Sequence, residues 1–176
     1  MNKSDIKSLP QYFDRYISYV PEMDLLNGLD LYGKAYLTDE AENFEKLGDL
    51  VYATDKWTIK DILQHIIDTE RIFTYRALRI ARADKTPLPG FDENLFAANA
   101  HTNDRKLDDL LDEFVCVRSS TIHLFSSFRD EDMLRELHVN TSDISVVALG
   151  YTIVGHVIHH MGVIKERYYP LLHEIK

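Results

Sequence analysis

A single cysteine, Cys116, stands among the 176 residues, and one thiol can neither close an internal disulfide nor build a zinc ribbon. Cysteine usage therefore gives no sign of an oxidising compartment, and a cytoplasmic protein is expected. Uninterrupted apolar runs are short. None reaches the 18 residues of a membrane span, and the opening "MNKSDIKSLPQYFDRY" lacks the apolar stretch of a secretory signal. A soluble chain without membrane contact is expected. Positive charge is scarce as well: at a formal net charge of −9, a nucleic-acid duplex would be repelled unless a basic patch compensated locally. "RIFTYRALRIARADK" is the one weak candidate, and its Arg71, Arg76, Arg79, Arg82 and Lys85 read as a solvated helical face. No nucleic-acid partner is expected.

Strand signals are nearly missing, whereas apolar residues recur at three and four positions over long windows, which predicts an all-α domain. At this length one domain covering 1–176 is the economical reading, with residues 1–22 as an N-terminal extension. The extension holds a short helix around Pro10 to Ser18 and breaks at Pro21. Four long helices follow: Met23 to Phe44; Thr58 to Arg82; Arg105 to Phe128 behind "TND"; and Ser145 to Tyr168, stopped by Pro170. Thr58 with Asp61 three residues on resembles a capping box. Helices of this size are roughly 30 Å long, the height of a four-helix bundle. Between the second and third, "ADKTPLPGFDENLFAANAHTND" has about 20 residues, enough to travel the bundle's length and return, so those two helices can run parallel. A segment this long either covers a site or simply connects.

Three histidines crowd "GHVIHHMGVIKERY". At about 100° per residue, His160 falls about 75° and His156 about 115° from the centre of the fourth helix's apolar arc, whereas His159 lies nearly opposite, on the expected wet face. His156 and His160, four apart, sit one turn over another and can share one ion. Two imidazoles are half a site, so a third donor has to come from another helix. His65 in "ILQHIIDTERIF" lies about 90° off the second helix's arc centre and fits. His123, His101, His138 and His173 fit less well. Three neutral imidazoles converging in a groove leave positions open for water or substrate; hydrogen-bonded histidines without an ion are the alternative. The residue after His156 is Val157, so the glutamate of HExxH metalloproteases is missing.

Two charges fall on apolar faces, Glu70 on the second helix and Arg118 on the third. Buried charges need partners, so a structural Glu70–Arg118 pair is expected. Asp61 could hold the second nitrogen of His65 but is first the capping-box acid. Asp68, Asp92 and Glu93 are loose candidates for a general base.

"KWTIKDILQHIIDTERIFTYRALRIARADKTPLPGFDENLF" followed by "GHVIHHMGVIKERYYP" resembles the DinB-like superfamily of metal-binding four-helix bundles, and the likeness runs from about Asp24 onward. The resemblance implies an up-down-down-up bundle with a long crossover between helices two and three. It also implies a divalent metal, zinc or nickel, held by three histidines, with ligand positions falling on His65, His156 and His160 and a non-ligand position on His159. Members with assigned activity include thiol S-transferases that use low-molecular-weight thiols, so the resemblance implies a metal-dependent enzyme on a small-molecule substrate, thiol transfer ahead of hydrolysis. A His₃ ion brings the pKa of a thiol or water toward neutrality, which gives that chemistry a physical basis. A non-catalytic metal- or ligand-binding bundle is the alternative. Tyr32 and Tyr36 are expected either at a homodimer interface or in the core.

Overall fold

The computed structural model describes residues 1–139 and 142–173. Its long helices start where their caps dictate. Helix α5 (Ile59–Ala81) opens on the capping box, with Asp61 N–H donating to Thr58 Oγ1 (3.2 Å) and Thr58 N–H to the Asp61 carboxylate (2.9 Å). Helix α9 (Val146–Val163) opens on Ser145, whose hydroxyl accepts from Ala148 N–H at 3.2 Å. Between them in sequence lie α6 (Glu93–Asn99), α7 (Leu107–Ser126) and α8 (Asp130–Met133).

The first arm is not one helix over Met23 to Phe44. It is broken into α2 (Leu25–Leu31), α3 (Lys34–Thr38) and α4 (Ala41–Leu47), preceded by α1 (Asp14–Tyr19). Gly33 makes the first break: its φ of −100° and ψ of −125° lie outside the helical region, and a Cβ there would stand 2.7 Å from the Leu29 carbonyl. The break frees the carbonyls of Leu29 and Tyr32, and Arg118 Nη1 donates to both, at 2.9 and 2.8 Å.

Two more differences from the expected pattern are local. An antiparallel hairpin, β1 (Glu136–Val139) and β2 (Ser142–Ser145), feeds α9, with Leu137 opposite Ile144 and both packed on the core. Four residues a strand is too short for alternation to stand out. At the other end of α9, Pro170 does not stop the chain sharply; the helix widens to π geometry over Ile164–Tyr168 and closes in a 3₁₀ turn, Tyr169–His173, that contains Pro170.

Cross-helix contacts give the topology. Along α5, Gln64 meets Arg105 on the third arm, whereas Glu70 and Arg71 meet Glu113, Arg118 and Thr121 further along it, so α5 and α7 are parallel. Along α9 they run the other way, Tyr168 meeting Trp57 and His156 meeting Phe73. The broken first arm climbs with α9, since Gly28 faces Val154 and Glu40 pairs with Lys165. The bundle is up-down-down-up, and the long crossover through α6 makes the parallel pair possible.

By length and composition the span Val146–His173 could cross a membrane, which the count of uninterrupted runs does not anticipate; 72% of its apolar window is buried inside the protein, so its apolarity is that of a core helix. Two apolar clusters fill the bundle. One gathers Ile17, Leu25, Phe73, Leu149 and Val154, the other Phe44, Ile66, Phe114, Val157 and Met161. They meet on α9 between Val154 and Val157, where His156 sits.

Residues 1–22 are more than an extension. Phe13, Ile17 and Val20 are buried in the first cluster, and α1 lies against α9 so closely that a Cβ on Gly155 would come within 1.9 Å of the Tyr16 carbonyl oxygen. Only glycine at 155 permits that approach.

Candidate metal centre

Three of the eight histidines converge, and they are His65, His156 and His160. The Nε2 of His156 lies 3.1 Å from that of His65 and 3.0 Å from that of His160, and donor atoms of all three fall within 4.8 Å of one another. His65 rides about two turns above the Thr58 cap of α5 and packs against Trp57 at 4.8 Å between ring centres, the rings tilted by 46°. Trp57 is held in turn by its carbonyl, which accepts from the Tyr168 hydroxyl. His156 is 4% exposed; its ring packs edge-on against Tyr16 at 5.2 Å.

The donor set fits a divalent ion on two grounds. First, three nitrogens about 2.0–2.1 Å from a common centre stand about 2.9 Å apart at right angles and about 3.3 Å apart at the tetrahedral angle; the two closest separations are of that size. Second, hydrogen bonding alone leaves the arrangement unsatisfied. The single Nε2 of His156 faces two other Nε2 atoms, and one ring nitrogen offers one proton or one lone pair. Burial also keeps the rings neutral, as ligands must be. It pulls His65 down to about 4 and holds His156 and His160 well below the ordinary histidine value, with the neighbouring imidazoles adding to the effect on both.

The trio opens into a cavity of about 340 Å³, lined by Tyr12, Phe13, Arg15 and Tyr16 from the N-terminal segment, Thr69, Phe73 and Arg76 from α5, and Phe91 and Glu93 from the crossover. The Thr69 hydroxyl is buried with no hydrogen-bond partner among the described residues, an orphan that a bound molecule would satisfy. The crossover thus covers the site rather than merely connecting helices.

The remaining sequence candidates separate. Asp61 is the cap acid and additionally accepts from Thr102; it does not touch His65. Asp68 is bound to Gln64 and faces Arg71, away from the cavity, with burial pushing its carboxyl upward. Asp92 caps α6. Of the three loose acids Glu93 alone lines the cavity, and it makes no hydrogen bond to the imidazoles. His159 is not on a wet face: α1 covers it, Tyr16 and Tyr19 pack on its ring at 5.4 and 5.6 Å, and burial lowers its pKa. It stays outside the converging set. His138 pairs with Asp143 at 3.0 Å on the hairpin, and His101 precedes the 3₁₀ turn Thr102–Asp104 with a left-handed φ of 50°.

Sequence reading misses Thr69, Phe73 and Arg76, although they follow His65 by 4, 8 and 11 residues and so share its helical face. Arg76 in particular is 3% exposed, not part of a solvated face. No periodic signal marks Tyr12 to Tyr16, because that segment reaches the site through the Gly155 contact.

A four-helix bundle with three inward imidazoles at the mouth of a cavity defines a class, and the chain's family agrees with it. Residues 34–164 match the DinB superfamily, and the chain belongs to that superfamily. Among solved structures the fold is similar to that of "YfiT from Bacillus subtilis", described as "a probable metal-dependent hydrolase with an unusual four-helix bundle topology", with a TM-score of 0.65 at 14% identity over 94% of this chain and 91% of that one. No curated relative matches the chain.

Proposed function

We propose that the protein is a divalent-metal-dependent enzyme in which His65, His156 and His160 hold a zinc or nickel ion and a small-molecule substrate enters the adjoining cavity. The observation that carries this is the convergence of three neutral imidazoles on one point beside that cavity. When bound, the ion would supply Lewis-acid chemistry, lowering the pKa of a thiol or water beside it toward neutrality.

Among those two nucleophiles, a thiol is favoured. A thiol with a pKa near 8.5 ionises beside the ion with less help than water does; Glu93, the acid in the cavity lining, is near enough for its charge to act on His65 and would serve either nucleophile as a base. The chain's own Cys116 is exposed on α7 and outside the cavity lining, so the thiol comes from solution. The protein's part is then to bind and exclude: Trp57, Phe73 and Phe91 shed water from the reacting groups, Thr69 offers its unpaired hydroxyl to the bound partner, and α1 closes the wall behind His156. Hydrolysis is the second reading, supported by the description of YfiT as a probable hydrolase.

A panel of low-molecular-weight thiols against model electrophiles, run on metal-loaded protein, tests the reading. Thiol-dependent turnover that disappears in His156→Ala supports transfer. Turnover that proceeds without added thiol, and is equally lost in the variant, supports hydrolysis. Turnover unaffected by the variant contradicts both.

A further inference from the structure

Arg76 and Arg118 are the two arginines buried to within 3% of full enclosure, and they are treated differently. Arg118 has a bidentate carboxylate and two carbonyls. Arg76 has one partner, the Pro89 carbonyl, to which Nη2 donates at 2.9 Å, and no carboxylate within ion-pair distance among the described residues. Its guanidinium stands 5.8 Å from the centre of the Phe73 ring and 5.9 Å from that of Phe91, which offsets part of the burial. A guanidinium has five donors in a planar fork. Most of those of Arg76 lack a protein acceptor, on a side chain that lines the cavity.

An unneutralised buried charge is costly, and the surroundings do not relieve it. Arg15, itself exposed, also lines the cavity, with one of its five donors on the Tyr16 hydroxyl at 2.9 Å and its charge over the Tyr12 ring. Against two arginines stands one acid, Glu93, which is exposed. On a chain of net charge −9, this is a local reversal of sign, and it becomes stronger with a cation at the histidines.

Spacing adds a length. His65, Thr69, Phe73 and Arg76 climb one face of α5, and eleven residues correspond to about 16 Å of helix. Both His65 and Arg76 lean toward the N-terminus, and Arg76, the longer side chain, reaches further back, so its guanidinium stands somewhat less than that distance from the three nitrogens. Phe73 and Phe91 form an apolar shelf along that interval.

We propose that the cavity takes an elongated small molecule with a carboxylate at one end, paired by the fork of Arg76, and an apolar middle on Phe73 and Phe91, so that its far end lies at His65, His156 and His160. This names the substrate class and rests on the function proposed above. The rival is structural: Arg76 serves only to tie the crossover at Pro89.

Trp57, the sole tryptophan, lines the same cavity, so its fluorescence, checked by calorimetry, reports binding. The probes are 4-phenylbutyrate and its uncharged amide, titrated into metal-stripped and zinc-loaded protein. In both forms of the wild type the acid is expected to bind at least about tenfold tighter than the amide, as a charge-assisted hydrogen-bonded pair would give. Arg76→Met should bring acid and amide to within about threefold of each other, while Arg76→Lys keeps part of the preference. Three results overturn the proposal: equal binding of acid and amide to stripped wild type, a preference that appears only with zinc and so belongs to the ion, or a preference that survives in Arg76→Met. The wild-type comparison stands even if that variant does not fold. Metal content is measured on the same samples, so a wild type that takes up no zinc counts against the metal reading while the acid preference of stripped protein is still read.

Discussion

Two polar clusters are buried on α5, and they are built to opposite rules. Around Glu70 the set is closed. Arg118 donates to it through Nε and Nη2 at 2.9 and 2.8 Å, Thr121 adds a third hydrogen bond at 2.7 Å, and the other Arg118 nitrogen ties down the carbonyls freed at the Gly33 break. Around His65 the set is open: three nitrogens face one point and, among the described residues, the Thr69 hydroxyl has no partner and Arg76 has a single carbonyl. A satisfied buried network specifies the fold, whereas an unsatisfied one persists because something else completes it. Packing holds both in place; only the open one adjoins the 340 Å³ cavity with the histidines.

The comparison breaks most visibly at the closed cluster. Arg118→Met alone leaves Glu70 buried and uncompensated and should cost about 3–5 kcal/mol in chemical denaturation, with metal content per folded chain unchanged. Adding Glu70→Leu should recover part of that loss, although the Leu29 and Tyr32 carbonyls and Thr121 keep the double variant below wild type. A double variant as unstable as the sum of its singles would mean that the pair is not the unit described.

At the open cluster the expected loss is of ligand rather than of fold. His156→Ala should weaken metal binding by more than about 100-fold, beyond what loss of a supporting residue alone costs, while the far-ultraviolet circular dichroism stays that of the wild type. The same rings set a pH dependence in metal-free protein. A histidine whose folded pKa is depressed binds fewer protons folded than unfolded, so stability is full above the ordinary value of 6.5 and falls as pH drops toward about 4, the value for His65. Thermal unfolding of stripped protein across that window should show the decline, and His65→Ala should lessen it while His156 and His160 keep their share.

Gly155→Ala probes what joins the clusters' surroundings to the N-terminal segment. Its Cβ would collide with the Tyr16 backbone, so α1 has to shift, at about 1–3 kcal/mol as for overpacking elsewhere, measurable by denaturation and by greater protease access at Tyr12 to Tyr19. His159→Gln should do least, costing about 1 kcal/mol or less in denaturation for the lost contacts with Tyr16 and Tyr19 and leaving metal content at the wild-type level, because His159 packs on α1 and lies outside the three converging nitrogens.

Legibility from sequence divides along physical lines. Helices α5, α7 and α9 were readable because their apolar periodicity is long, and the starts of α5 and α9 because they carry Thr58 and Ser145. The Glu70–Arg118 pair was readable because two charges on apolar faces have few ways to coexist. His65, His156 and His160 were readable as a set because i, i+4 spacing fixes two of them on one face and a half-site demands a third. The breaks in the first arm were not, since they depend on the backbone of Gly33 and on Arg118, some 85 residues away, donating to the freed carbonyls of Leu29 and Tyr32. Burial of Arg76 was hidden among four other cations whose helix positions look alike; the crossover that covers it has no periodic signature. The wall formed by α1 depends on a glycine whose role is visible only when Tyr16 is beside it.

Everything proposed for the cavity turns on whether His65, His156 and His160 hold one ion with His159 outside the set. Plasma mass spectrometry on protein purified without a histidine tag, for the wild type and the four single variants, tests it most directly. About one divalent ion per folded chain is expected in the wild type and in His159→Gln, with none retained in His65→Ala, His156→Ala or His160→Ala. A wild type without stoichiometric metal, or a full complement in any of those three alanine variants, would contradict it.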